Sequence, residues 1–414
     1  MPLIIPSNSI SDLGYNVDNS LRFNDDSSDY LQRTPASAGN RKTFTISLWI
    51  KRGNLANGRI IACNSANSDA GNFEIDFNND TFRVVAWVTT FRVTNRLFRD
   101  PSAWYHIVIA IDTTQSTAND RIKIYVNGVQ ETSFSTLNNP TQNADTGFNQ
   151  SATTRIGVNA NALSGFYDGY IAEFCLIDGQ QLDPTSFGEF DSDTNIWKPI
   201  DVSGLTFGTN GFYLDFENSS SLGADVSGNG NNFTVNNLTS IDQSTDTCTN
   251  NFATLNFLTM PSYHTQAEGN LESFGNTSAD QGHSDSTISA SSGKWYAEVK
   301  VIATNTTGGT PSYPRYGIRH INNKEYGRLL NGGVGSPGRY FSNEGLYQSN
   351  GEKYINASTS SFGDSFTAND VIGIAVDCDN GAVYFSKNGT FQNSGDPTSG
   401  SSKTGALVTW TPAD

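Results

Sequence analysis

Apolar and polar residues alternate one by one in run after run of this chain, and that pattern confines it to β-structure. In Phe44-Thr45-Ile46-Ser47-Leu48-Trp49-Ile50-Lys51, one face carries Phe44, Ile46, Leu48 and Ile50, and the other Thr45, Ser47, Trp49 and Lys51. Successive side chains of a strand point to opposite faces, so the run predicts a half-buried strand. Residues 81–88 alternate too, with Phe82, Val84, Ala86 and Val88 on one side. Residues 105–111 are apolar on both faces and predict a central strand. Ile122, Ile124 and Val126 share a face ahead of Asn127-Gly128. That dipeptide suits a tight hairpin, because both central positions of a type I′ turn need positive φ. Residues 170–177 add a further strand. No window of helical length keeps apolar residues at three-and-four spacing without Gly, Asn or Ser interrupting it. Residues 183–190 offer at most one helical turn, with Asp183 as cap and Pro184 at its first position. Two Met against 25 Phe and 16 Tyr, with 39 Gly in 414 residues, fit many short strands joined by turns.

The strand signal comes in two blocks. Between residues 202 and 258 the chain turns rich in Asn, Ser, Thr and Gly, with the turn cluster Asp225-Val226-Ser227-Gly228-Asn229-Gly230-Asn231. Aromatic residues recur inside it, and residues 211–216 and 232–235 still read as strands, so it predicts an ordered connector. A second strand-rich block starts near Ser289. Residues 294–301 alternate, residues 371–377 are nearly all apolar, and residues 382–386 enter the hairpin Lys387-Asn388-Gly389. Each block thus has a central apolar strand, an acidic turn, a further strand and an Asn-Gly hairpin. The expectation is an all-β chain of two tandem antiparallel sandwiches. The divisions expected are an attachment segment at 1–14, a first sandwich at 15–205, the connector at 206–260 and a second sandwich at 261–414.

Charge narrows the function. Asp and Glu outnumber Lys and Arg 41 to 25, a net charge of −16, which argues against nucleic-acid binding through a basic surface. No apolar run approaches the roughly 18 residues of a membrane-spanning helix. The start, Met1-Pro2-Leu3-Ile4-Ile5-Pro6, lacks the basic and apolar regions of a signal peptide and could add as a strand to a partner's sheet edge. Cys63, Cys175, Cys248 and Cys378 are scattered without metal spacing and read as buried free thiols of a chain folded in a reducing cytoplasm. If the product ends up outside a cell, release by assembly or lysis is expected.

The first block resembles the laminin-G-like and pentraxin-like branch of the concanavalin-A-like jelly rolls. The resemblance rests on residues 44–50, on Trp104-Tyr105-His106-Ile107-Val108, on Lys123-Ile124-Tyr125-Val126-Asn127-Gly128 and on Tyr167-Asp168-Gly169-Tyr170-Ile171-Ala172-Glu173-Phe174. It covers roughly residues 15 to 200. The second block resembles a SPRY domain through Gly293-Lys294-Trp295-Tyr296-Ala297-Glu298-Val299, residues 369–377 and residues 381–389. A SPRY domain normally carries several more strands past its Lys-Asn-Gly hairpin, so this copy is expected to lack its last strands, or to be completed by another chain. The two modules, joined by residues 208–216, look like structural proteins of tailed bacteriophages. That resemblance implies a non-enzymatic virion surface protein: a fibre, spike or capsid-attached appendage contacting host glycans, other virion proteins and further copies of itself. A glycan depolymerase and a bacterial adhesin are the alternatives.

Candidate sites are few. Glu74 and Asp76 share a strand face, as the paired carboxylates of a retaining glycosidase must. The acid/base position, however, holds Asn78 and Asn79, with the shorter Asp80 one step on, and an Asn cannot protonate a leaving group. No catalytic residue is therefore assigned. The Asp225-to-Asn231 loop and the loop bearing Asp25, Asp26 and Asp29 offer oxygens of the kind calcium takes, although neither has EF-hand spacing and plain turns explain both. His106, His264, His283 and His320 stand alone, which argues against zinc. Sugar rings dock on aromatic faces, which makes Trp49, Trp87, Tyr313 and Tyr316 the binding candidates, though a sheet core is the commoner fate of each.

Overall fold

Among the described residues of the computed structural model, every regular element is a strand or a short 3-10 turn. The structure describes residues 14–259, 264–275, 284–303, 314–319, 344–355 and 358–412. The attachment segment at 1–14 thus lies almost wholly outside the described residues.

The first sandwich is built from two eight-stranded sheets. The first sheet runs Val129–Gln130, Ile122–Val126, Tyr105–Asp112, Thr43–Arg52, Gly169–Asp178, Ser20–Phe23, Gln243–Ser244, with Phe212–Leu214 also paired to Gly169–Asp178. The second runs Phe134–Leu137, Thr90–Leu97, Thr81–Val85, Asn72–Asn78, Gly58–Asn64, Thr153–Ile156, Tyr30–Arg33, Thr234–Asn236. Every pairing is antiparallel, as hairpin connections require. The alternation read from the sequence sets which side faces in. Phe44, Ile46, Leu48 and Ile50 meet Phe73, Ile75, Phe77, Phe82 and Val84 in one continuous core. Asn127 and Gly128 take φ of 49° and 77°, as the hairpin predicts. Gly128 is required for a second reason: a Cβ there would lie 2.2 Å from the Trp197 ring.

The connector is ordered because it belongs to this sandwich. Its pieces Phe212–Leu214, Thr234–Asn236 and Gln243–Ser244 extend both sheets. Residues 187–213 also close over the outer face of the first sheet. There Val108, Cys175 and Ile177 pack against Phe187, Val202, Phe207 and Tyr213, while Trp49, Tyr170 and Ala172 pack against Val17, Trp104 and Trp197. This second layer explains why Thr43–Arg52 and Gly169–Asp178 are buried on both faces. It also corrects the half-buried reading of Thr43–Arg52.

Two local expectations are corrected. The helical turn expected over 183–190 is the short Pro184–Ser186 turn, capped by Asp183 as foreseen, because Gly188–Phe190 pairs as a strand with Trp197–Pro199. The strand expected over 81–88 stops at Val85, where Val85 pairs with Thr90 and the chain reverses.

The second block is likewise a sandwich. One sheet holds Lys294–Lys300, Val371–Asp377, Ala382–Lys387 and Thr390–Phe391, and the other Arg315–Arg319, Glu344–Gln348, Glu352–Ile355 and Ser358–Ser361. Tyr347, Phe362, Phe366, Ile372, Val383 and Phe385 form its core. Beyond the Asn388-Gly389 hairpin the chain returns, and Val408–Thr409 pairs with Ala382–Lys387.

Candidate functional site

Glu74 and Asp76 do share the outer face of the second sheet, but each is engaged by a basic neighbour. Asp76 is fully buried and receives Arg83 Nε and Nη2 at 2.8 and 2.6 Å, with Arg59 at 3.7 Å. Glu74 accepts from Arg59 Nε at 3.2 Å and from Asn159 Nδ2 at 2.8 Å. Register explains this, since Asp76 sits directly between Arg59 and Arg83 on the flanking strands. A bidentate arginine clamp fills the directions a nucleophile would use. Asp80 is paired with Arg99.

The acidic loops are turns in which the chain's own N–H groups take most of the carboxylate oxygens, although Asp29 Oδ1 is buried without a partner. Asp225 Oδ1 accepts from the Tyr213 and Ser227 N–H groups, both at 2.9 Å, and Oδ2 accepts from Asn231 N at 2.7 Å. Asp29 Oδ2 caps Asn24 N at 3.0 Å. Asp25 turns instead towards Asp168, and Asn54 Nδ2 donates to both carboxyls at 3.2 Å. Burial, with Asp25 alongside, pushes the Asp168 carboxyl up to about 8, so it keeps its proton at neutral pH. Burial raises Asp25 as well. Among the described residues, no group of three or more His, Cys, Asp or Glu side chains is placed to hold a metal ion.

The described histidine ring is a structural one. His106 is buried between the first sheet and its cover, beside a small cavity that Ser47 and Glu173 also line. Trp197 Nε1 donates to Nδ1 at 3.0 Å, and an indole N–H can only donate. Nε2 therefore carries the proton and gives it to Ser47 Oγ at 2.9 Å. The ring cannot take a proton from Ser47, and burial lowers its pKa to about 3. Glu173, on a bulge with φ of 50°, accepts from Tyr213 Oη at 2.6 Å and Tyr15 Oη at 3.2 Å, and burial raises it to about 7. Neither Glu173 nor Asp168 was singled out from the sequence, because burial by distant segments leaves no local signal. The His264 side chain, His283 and His320 lie outside the described residues. Cys63, Cys175 and Cys378 are buried free thiols and Cys248 a partly buried one.

The aromatic candidates separate cleanly. Trp49 is buried against His106, and Tyr316 packs on the core of the second block. Tyr313 lies outside the described residues. Trp87 is 42% exposed and Val88 81%, at the centre of the turn that joins Thr81–Val85 to Thr90–Leu97. The tip is held from below, since Ala86 N donates to Thr89 O at 2.8 Å. Asp69, from the neighbouring loop, accepts from Val88 N at 2.7 Å, from Thr89 N at 3.2 Å and from the Thr89 hydroxyl. Burial opposes the charge on Asp69, but these hydrogen bonds outweigh it and hold the carboxyl below its usual range. A half-exposed indole on a pinned tip is a preorganised stacking platform. Asp69 is the part of this site that sequence reading missed, since only the pairing of the strands brings its loop to the tip.

Comparison with known proteins agrees with this architecture. Residues 25–180 match the concanavalin A-like lectin/glucanases superfamily in its laminin-G form, and residues 294–408 match the SPRY domain. Among curated proteins, nothing matches the chain. Solved structures to which the chain is similar include domains LG4-5 of the mouse laminin alpha1 chain, at 10% identity, TM-score 0.33 and coverage of 98% of this chain and 84% of that one. A putative carbohydrate binding protein from Bacteroides ovatus shows 17% identity and TM-score 0.35, with 54% and 59% covered. A heptameric SAP-like pentraxin from Limulus polyphemus shows 16% identity and TM-score 0.31, with 40% and 78% covered.

Proposed function

We propose that this chain is a non-enzymatic glycan-binding protein that stacks a sugar ring on Trp87. The observation that carries this reading is the half-exposed indole on a tip pinned by Asp69. The C–H face of a pyranose packs on such a ring, while hydroxyls bond to nearby polar groups. The arginine clamps on Asp76 and Glu74 favour binding over cleavage. The proposal extends to location and partners. The laminin-G-like block followed by a SPRY-like block supports a tailed-bacteriophage appendage, assembled in the host cytoplasm with other virion proteins and further copies of itself.

A glycan array tests the reading directly. Wild-type protein binds a defined set of glycans, with and without chelator, and Trp87→Ala loses them while melting at the same temperature. Absence of binding by the wild type rejects the proposal. Release of reducing ends from a host polysaccharide moves the depolymerase reading to first place. Immunogold labelling of particles and cells tests the location, because gold confined to cell envelopes favours an adhesin.

A further inference from the structure

Lys51 is the penultimate residue of the strand Thr43–Arg52, on the covered face of the first sheet and 1% exposed at its side chain. Its Nζ lies 2.8 Å from Asp246 Oδ2, 2.9 Å from Asn251 Oδ1 and 3.0 Å from Phe252 O. The two acceptor side chains are held in place independently. Asp246 Oδ1 receives Trp104 Nε1 at 3.0 Å and Phe252 N at 3.3 Å. Asn251 Nδ2 donates to Ser102 O at 2.8 Å, which turns its carbonyl oxygen towards the amine. Trp104 and Tyr170 wall the group, the Tyr170 ring 5.7 Å from Nζ. A buried amine and carboxylate and a partly buried carboxamide are thus fixed together. Holding reactants in this way raises their effective concentration many orders of magnitude over free solution.

The geometry points to a covalent amide between Lys51 Nζ and Asn251 Cγ, formed by the protein on itself with Asp246 as the proton carrier. The ammonium first gives a proton to Asp246. Burial favours that transfer by lowering the pKa of the amine, although the Asp246 charge opposes it. The freed lone pair attacks Cγ, and the carbonyl π pair moves onto Oδ1. Asp246 passes its proton to the departing Nδ2, the pair on Oδ1 re-forms the carbonyl as the C–Nδ2 bond breaks, and the new amide nitrogen gives its extra proton to the released ammonia. One lysine ammonium and one carboxamide become one secondary amide and one ammonium ion, so atoms and charge balance with no further reactant. The bond fastens residues 246–252 to a central strand of the first sheet, across nearly half the chain. Asp246 here combines the base and acid roles that a positioned carboxyl can serve in turn.

Intact mass spectrometry of the full chain, incubated folded at neutral pH, tests this. The expected result is a mass one ammonia below that of the sequence, with a digest containing one branched peptide that joins Lys51 to Asn251. Asn251→Ala, at a partly exposed position, restores the full mass expected for its sequence. Asp246→Asn slows or abolishes the loss while Lys51 and Asn251 remain. A wild-type mass equal to that of the sequence, with the two peptides separate, overturns the proposal and leaves a buried ion pair. A mass deficit without the branched peptide also overturns it, because succinimide formation at an Asn-Gly pair loses the same ammonia.

Discussion

The two sheets of the first sandwich share a core but treat their outer faces in opposite ways. The first sheet is covered: Trp49, Tyr170 and Ala172 lie under Trp104 and Trp197, and Val108 and Ile177 under Phe207 and Tyr213. The second sheet carries an arginine–carboxylate layer on its outer side and presents Trp87 to water. Two tryptophans of one domain, one on a strand and one on a hairpin tip, therefore have opposite roles. Trp49 is packing, whereas Trp87 is surface chemistry. The difference lies in which sheet residues 187–213, with Val17 and Trp104, fold over, and it directs the search for ligands to the uncovered sheet and its hairpin tips.

The largest effect expected from breaking this contrast is on the cover. Trp197→Ala opens a cavity beside His106 and removes the donor to Nδ1, and should cost about 3–5 kcal/mol in chemical denaturation. Trp87→Ala, the matching change on the other sheet, should stay within about 0.5 kcal/mol. Similar losses for the two would erase the distinction.

Next is the charged layer. Asp76→Ala leaves Arg83 and Arg59 without their buried partner, but both side chains are 22–24% exposed. Equilibrium unfolding should show a loss of about 2 kcal/mol, below that of a fully enclosed pair.

The Asp168 carboxyl gives a pH signature. Its folded pKa, about 8, lies above the unfolded value of 3.8, so the folded chain holds an extra proton between them. Its contribution to stability is fully present below pH 3.8 and is lost as pH rises towards 8. Asp168→Asn should flatten that decline, read from melting temperatures across the range. An unchanged slope would place the titration elsewhere, with Glu173, raised to about 7, as the next group to replace.

The smallest change sharpens the binding claim. Asp69→Ala frees the tip without exposing core. It should weaken glycan binding about tenfold, the order of the cost of reordering a short loop, with little change in melting. Equal affinity would mean that the tip needs no pinning.

How much of this was legible in the sequence follows from how local each signal is. The strand Thr43–Arg52, the Asn127-Gly128 hairpin and the Asp183 cap depend on neighbours within a few residues, and the sequence pattern identifies them. Alternation alone cannot tell Trp49 from Trp87, because what covers Trp49 comes from residues 104 and 197. The same holds for Lys51, which alternation puts with the polar face and Asp246 draws inside. Val88 fits the inward pattern of residues 81–88, yet the chain turns after Val85, and no Asn-Gly marks that reversal in the sequence. The clamps on Glu74 and Asp76 needed the sheet register, which set Arg59 and Arg83 beside Asp76 from two other strands.

The most direct test of the account is the glycan array with wild type and Trp87→Ala side by side, together with their melting temperatures. The account predicts specific binding by the wild type, its loss in the variant and coincident melting curves. Specific binding that survives in Trp87→Ala would contradict it and move the ligand away from the tip of the uncovered sheet.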